Sequence, residues 1–253
     1  MNIEIIPCLN DNYSYLIKDD QTNTTAIIDP SEFNPCNKKI NHKHKKLDFI
    51  LNTHHHFDHI GGNTELKKKY GSKILGFEKD KNRIPEIDVL LKDSQEFKIG
   101  NLSFKTIFIP GHTLGHIAFY FEKEKVIFTG DTLFSLGCGR IFEGTYQQMF
   151  DSLNIIKSLP EDTKIYCGHE YTKSNLQFCL EYNPTNNHLI NKKKVIEAKI
   201  KDGKPTIPST IKDEIQTNIF LRYDDLDVKH ALNLKNASDL EIFTKLRELK
   251  DNF

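Results

Sequence analysis

A chain of 253 residues with 38% hydrophobic content carries enough apolar side chain for one substantial core, and its length suggests one or two domains. Lys+Arg and Asp+Glu balance at 35 each, so no whole-molecule field draws it to nucleic acid or an anionic membrane. The 5 cysteines are odd in number and form no CxxC pair, which fits a reducing compartment better than a disulfide framework. Met1-Asn2-Ile3-Glu4-Ile5-Ile6 lacks the basic region and apolar core of a signal peptide, and no apolar run has membrane length. A cytoplasmic, monomeric protein with no nucleic-acid or membrane partner is expected.

The first third reads as strands separated by Asn-, Asp- and Pro-rich turns: Tyr15-Leu16-Ile17, the run 24–30, and Phe49-Ile50-Leu51-Asn52. The last of these leads into Thr53-His54-His55-His56-Phe57-Asp58-His59-Ile60-Gly61-Gly62. Here imidazoles and a carboxylate crowd together between an apolar run and a glycine pair, a ligand set suited to zinc, iron or manganese. Read as an extended loop, alternation puts His54 and His56 on one ion and turns Asp58 and His59 toward another. Lys-flanked His42 and His44 read as solvated surface.

Residues 63–70 carry helix formers, and Gly71 ends that helix. Further strands are expected at 73–77, 104–109, 117–121, 125–129 and 164–167. A regularity links several of them. Ile107-Phe108-Ile109 runs into Pro110-Gly111-His112, Val126-Ile127-Phe128 into Thr129-Gly130-Asp131, and Ile165-Tyr166-Cys167 into Gly168-His169. Each apolar run is followed by a glycine and one potential ligand, the way α/β architectures set sites on loops at strand ends.

Between them, Gly137-Cys138-Gly139-Arg140-Ile141-Phe142-Glu143-Gly144 is a glycine-rich loop with a cation at its centre. Thr145 with Gln148 forms a capping box for a helix to about Leu159. Past His169 the signals are helical: 172–182, a helix from Asn187, one capped by Thr210 with Asp213, and a last one capped by Ser238 with Glu241. A boundary near residue 170 follows, giving a sheet-containing domain 1–169 and a helical domain 170–253.

His54, His56, His112 and Asp131 are candidates for one ion, and Asp58, His59, His169 and Asp131 for a second, with Asp131 bridging. Open coordination positions would make the centre catalytic, and a hydroxide held between two divalent ions would attack an ester, amide or phosphoester without a protein nucleophile. Asp58 and Asp131 are the carboxylates expected to work with that hydroxide.

THHHFDHIGG, PGHTLGH, TGDTLF and CGHEY resemble the successive metal motifs of the metallo-β-lactamase superfamily. The GCGRIFEGT loop, CGHEYT and the segments Pro208-Ser209-Thr210-Ile211 and Phe220-Leu221-Arg222 further resemble the glyoxalase II (hydroxyacylglutathione hydrolase) family, over essentially the whole chain. The resemblance implies an α+β fold, an αββα metallo-β-lactamase sandwich followed by a smaller all-helical C-terminal domain. It implies two divalent metal ions, zinc first with iron or manganese as alternatives. The implied reaction is thioester hydrolysis of S-D-lactoylglutathione to glutathione and D-lactate, the second step of methylglyoxal detoxification. It places Arg140, Phe142, Tyr171 and Arg222 around the glutathione moiety. Phe142 stands where Tyr is frequent, so only a backbone contact carries over. Asp225 stands where some members have a second basic residue. A lactonase-like hydrolase and a glutathione persulfide dioxygenase are the alternative readings.

Overall fold

The computed structural model describes residues 1–253, which divide into two compact units. The first comprises 1–108 and 114–130, the second 109–113 and 131–253.

In the first unit, β1 (Asn2–Cys8), β2 (Asn12–Lys18) and β3 (Thr25–Ile28) form an antiparallel meander. Next come α1 (Phe33–Lys43), β4 (Phe49–Leu51), α2 (Phe57–Ile60), α3 (Asn63–Tyr70), β5 (Lys73–Phe77) and β6 (Val89–Leu91). β3 to β6 pair in parallel, completing a six-stranded sheet in sequence order. Crossovers place α1 and α3 on one face, where Ile27, Ile50 and Ile74 bury against Cys36, Ile40 and Leu66. With both faces covered, β3 to β5 are nearly uniformly apolar. β7 (Glu96–Ile99), β8 (Leu102–Phe108), β9 (Ile117–Phe121) and β10 (Val126–Gly130) make a second, antiparallel sheet. The two sheets meet through aromatic pairs, Tyr15 with Phe128 at 5.2 Å between centroids and Phe49 with Phe97 at 5.9 Å.

The second unit begins with a small hairpin, β11 (Leu133–Phe134) and β12 (Gly137–Cys138), followed by α4 (Tyr146–Lys157) and β13 (Lys164–Cys167). After that it is helical: α5 (Thr172–Tyr182), α6 (Asn187–Lys201), α7 (Ile211–Thr217), α8 (Leu226–Ala231) and α9 (Asp239–Asp251). A short strand, β14 (Ser209–Thr210), pairs with β13 just before α7. Thr145 and Ser238 form the expected capping boxes of α4 and α9, and Thr210 caps α7. Phe178 stacks on Phe220, which meets Phe243 edge to face. Residues 131–169 thus pack with the helical tail, whereas the sequence texture changes only near 170.

Two sequence expectations change. Residues 33–43, which carry no cap and contain Pro35, are the helix α1; proline is tolerated there because first-turn N–H groups have no intrahelical partner. His44 at its end lies 3.7 Å from Glu4 rather than in solvent, while His42 is exposed as expected. No helix is long and apolar enough to cross a membrane.

Candidate metal centre

In the first unit, β4 delivers Asn52, Thr53 and His54 into full burial. The backbone N–H and Oγ1 of Thr53 donate to Oδ1 and Oδ2 of Asp29 at 2.8 and 2.6 Å. With its proton given to Asp29, Thr53 Oγ1 accepts from His54 Nδ1 at 3.0 Å. His59 Nδ1 donates to Asp29 Oδ2 at 3.1 Å. These bonds select one tautomer for both imidazoles, protonated on Nδ1, with Nε2 the coordinating nitrogen. Ligand atoms of Asp29, His54 and His59 lie within 4.8 Å of one another. Since both Asp29 oxygens already accept hydrogen bonds, we assign it the orientation of ligands rather than coordination.

The loop is not extended throughout. Residues 57–60 form the single turn α2, because Gly61 carries the chain tightly past Ser31, whose carbonyl oxygen would lie 2.4 Å from any added Cβ. Helical rather than extended geometry brings Asp58 and His59 to one place, Asp58 Oδ2 lying 3.5 Å from His59 Nε2. His54 packs with its neighbours, its centroid 4.7 Å from that of His56 and 4.6 Å from the nearly parallel ring of His116. His55 turns to Asp80, with 3.3 Å between Nδ1 and Oδ2.

In the second unit, His112, Asp131 and His169 come together as a donor set of their own. His112 Nδ1 donates to the Arg140 carbonyl at 2.7 Å, again selecting Nε2 as ligand. That nitrogen lies 3.5 Å from Asp131 Oδ2, and His169 Nε2 lies 3.2 Å from the same oxygen. Gly139 makes the approach possible, since a Cβ there would sit 1.9 Å from the Asp131 carbonyl oxygen. Ligand atoms bound tetrahedrally at 2.0–2.1 Å stand about 3.4 Å apart, so separations of 3.2–3.5 Å within both sets suit a shared divalent ion. Donor chemistry and spacing therefore fit a metal.

The predicted substrate residues also lie in the second unit. Tyr171 stacks on His169 at 4.7 Å with the rings 6° from parallel. Phe142 sets its ring against His112 at 5.2 Å and donates its N–H to the His112 carbonyl at 3.2 Å. Arg140 is exposed and its Nε donates to Asp251 Oδ1 at 3.2 Å. Arg222 is paired with Asp225 and donates from Nη1 to the Gln216 carbonyl at 3.2 Å.

Residues 10–169 match the metallo-beta-lactamase superfamily, and residues 170–253 match the hydroxyacylglutathione hydrolase C-terminus. Hydroxyacylglutathione hydrolase from Pelagibacter ubique is 55% identical over 253 residues, covering all of both chains. The enzyme of that name from Methylococcus capsulatus is 43% identical, covering 98% of this chain and 97% of its own. The chain belongs to the hydroxyacylglutathione hydrolase family. As a member it is a hydrolase of metallo-β-lactamase fold whose His and Asp groups suit divalent metal. Two solved structures share the fold. The B3 metallo-beta-lactamase BLEG-1 aligns at TM-score 0.68 with 23% identity, covering 87% of this chain and 99% of its own. ETHE1 from Myxococcus xanthus aligns at 0.68 with 22% identity, covering 98% and 97%.

Three residues of this family member's loop surroundings escaped the sequence reading: Asp29, Asn12 and His116. Asp29 follows the apolar run of β3 just as Asp131 follows that of β10, so the strand-end rule contained the signal. Asn12 and His116 gave none, because their contacts are made across the fold.

Proposed function

We propose that two divalent ions would be held in the order the ligands suggest, His54, His56 and His112 for one and Asp58, His59 and His169 for the other, with Asp131 available to both. Such ions, when bound, act as Lewis acids and lower the pKa of bound water toward neutrality. The protein's part is to fix the ligands: Thr53, Asp29 and the Arg140 carbonyl hold His54, His59 and His112 through Nδ1. This tautomer selection is the observation that carries the reading.

The substrate is an S-(2-hydroxyacyl)glutathione, typically S-D-lactoylglutathione, cleaved to glutathione and D-lactate in methylglyoxal detoxification. A thiolate is a good leaving group, so no protein acid is required to protonate it. Residues 1–169 act as the catalytic part and 170–253 as the substrate-binding part. Tyr171 is held by His169 with its ring partly exposed, in a position to offer its hydroxyl. Arg140 and Arg222 answer the carboxylates of the tripeptide, and each already faces a carboxylate, Asp251 or Asp225. Arg140 is exposed, and surface pairs such as its own are worth about 0–1 kcal/mol, so exchange of Asp251 for a substrate carboxylate costs little. Phe142 contributes through its backbone. Zinc is the first choice of metal, the cytoplasm the place of action, and a monomer the working form.

The test is steady-state hydrolysis by metal-quantified protein of S-D-lactoylglutathione and of the same acyl group on a thiol without carboxylates. A strong preference for the former with about two ions per chain supports the whole reading. Equal turnover of both would discard the glutathione assignment and keep the metal chemistry.

A further inference from the structure

Asn12 makes an unusual pair of bonds for a residue that coordinates nothing. Its side-chain amide donates to the Asp58 carbonyl oxygen at 3.1 Å and to Asp58 Oδ2 at 2.9 Å. Both acceptors are oxygens, so chemistry alone fixes the nitrogen as the atom facing Asp58. An amide that spans backbone and carboxylate of the same residue leaves that side chain little rotational freedom. Asp58 needs such restraint: its side chain is 36% exposed, whereas His59 beside it is 1% exposed.

Asn12 is itself held firmly. It is 4% exposed and opens β2, opposite Cys8 at the end of β1. The hairpin between them turns through Leu9 at φ 48°, and the Leu9 N–H donates to Glu32 Oε1 at 2.6 Å. Ser14, one further along the same strand face, donates to the Asp29 carbonyl at 2.7 Å. The start of β2 thus reaches both groups that flank His59, the carboxylate of Asp58 directly and Asp29 through its backbone.

We propose that Asn12 is a positioning residue that holds Asp58 in the rotamer used for metal retention. This rests on Asp58 being a ligand, as proposed above, though not on the number of ions. An outer partner of a metal ligand typically changes affinity 10- to 100-fold, so loss of the amide should weaken retention by about tenfold.

The test is a double-mutant cycle on the full chain, loaded with zinc and challenged with a chromogenic chelator: wild type, Asn12→Ala, Asp58→Ala and both together. The expected result is about tenfold faster or tighter-chelator-driven loss for Asn12→Ala, with no further loss when Asn12→Ala is added to Asp58→Ala. Thermal melting of the metal-free proteins separates this from a folding defect, and Asn12→Ser replaces the alanine variant if that one does not fold. Unchanged retention in Asn12→Ala, or an equal loss in the Asp58→Ala background, would overturn the inference. If wild type binds one ion instead of two, the dinuclear reading fails, and the same cycle still reports whether Asn12 acts through Asp58.

Discussion

His59 donates from Nδ1 to Oδ2 of Asp29 at 3.1 Å, and both residues are almost fully buried, at 1% and 2% exposure. Asp29 holds Thr53 through its other bonds, so one carboxylate fixes the ring of a candidate ligand and the residue that sets the tautomer of His54. Asp29→Asn tolerates the positive φ of 47° at this position, but its single amide oxygen cannot replace both carboxylate oxygens, so either the Thr53 N–H or the Thr53 hydroxyl and His59 Nδ1 lose their acceptor. Expected outcomes are a stability loss of about 1–3 kcal/mol and metal affinity lowered about 10- to 100-fold. Urea denaturation of the metal-free chain and a metal-competition titration read the two separately.

Arg222 and Asp225 form an ion pair three residues apart. Arg222→Ala is expected to raise KM for a glutathione thioester with kcat nearly unchanged, because the lost binding is remote from the reacting carbonyl. Asp225 also caps α8, accepting from the N–H groups of Asp227 and Val228 at 2.9 and 3.3 Å. Asp225→Ser keeps the cap and releases the arginine, so KM should fall by a factor of a few. A KM that rises on Asp225→Ser would show the pair to be the binding unit.

Glu214 is fully buried and joins three parts of the second unit. It accepts from the Leu136 N–H at 2.7 Å, Asn218 Nδ2 at 3.0 Å and Lys192 Nζ at 2.9 Å. Glu214→Ala strands a largely buried ammonium and a backbone donor, a loss of about 3–5 kcal/mol. Denaturant melts measure it; a change under about 1 kcal/mol would mean that water replaces the carboxylate.

Burial pushes the thiols of Cys167 and Cys179 up to about 12 from an ordinary 9.0. Below pH 9 both states keep these protons and stability is unaffected. Between pH 9 and 12 the unfolded chain loses them while the folded chain does not, so stability falls as pH rises, by of order 1 kcal/mol per pH unit for each thiol. Urea melts at pH 8 and 10.5 should show the decline, and Cys179→Ala should lessen its slope. Cys8 differs: a hydrogen bond from Cys36, 3.9 Å away, holds its thiol below the ordinary value. Mass-mapped alkylation at pH 8 is expected to modify Cys8 before Cys167 or Cys179.

Capping and breaking signals were legible because they act within four residues of chain. Thr145 with Gln148, Ser238 with Glu241 and the left-handed Gly71 at φ 71° stand where the sequence puts them. α1 was not legible, since Glu32 offers no side-chain cap and the buried Cys36 and Ile40 are few among polar neighbours. Nor was the turn α2, where a close approach to Ser31, invisible in the chain, replaces an extended loop.

The sequence by itself determined the ligand types, their order and the rule that each follows an apolar strand, because imidazole, carboxylate and glycine announce their chemistry locally. It also showed an acid, Asp225, where some members of the family have a second basic residue; that Asp225 pairs with Arg222 came from the structure. Only the tertiary structure decided which nitrogen each histidine presents and what holds Asp58 in place. Those choices depend on Asp29, Asn12 and the Arg140 carbonyl, whose partners lie 24 to 46 residues away, and hydrogen bonds across such separations exist only once the strands have packed.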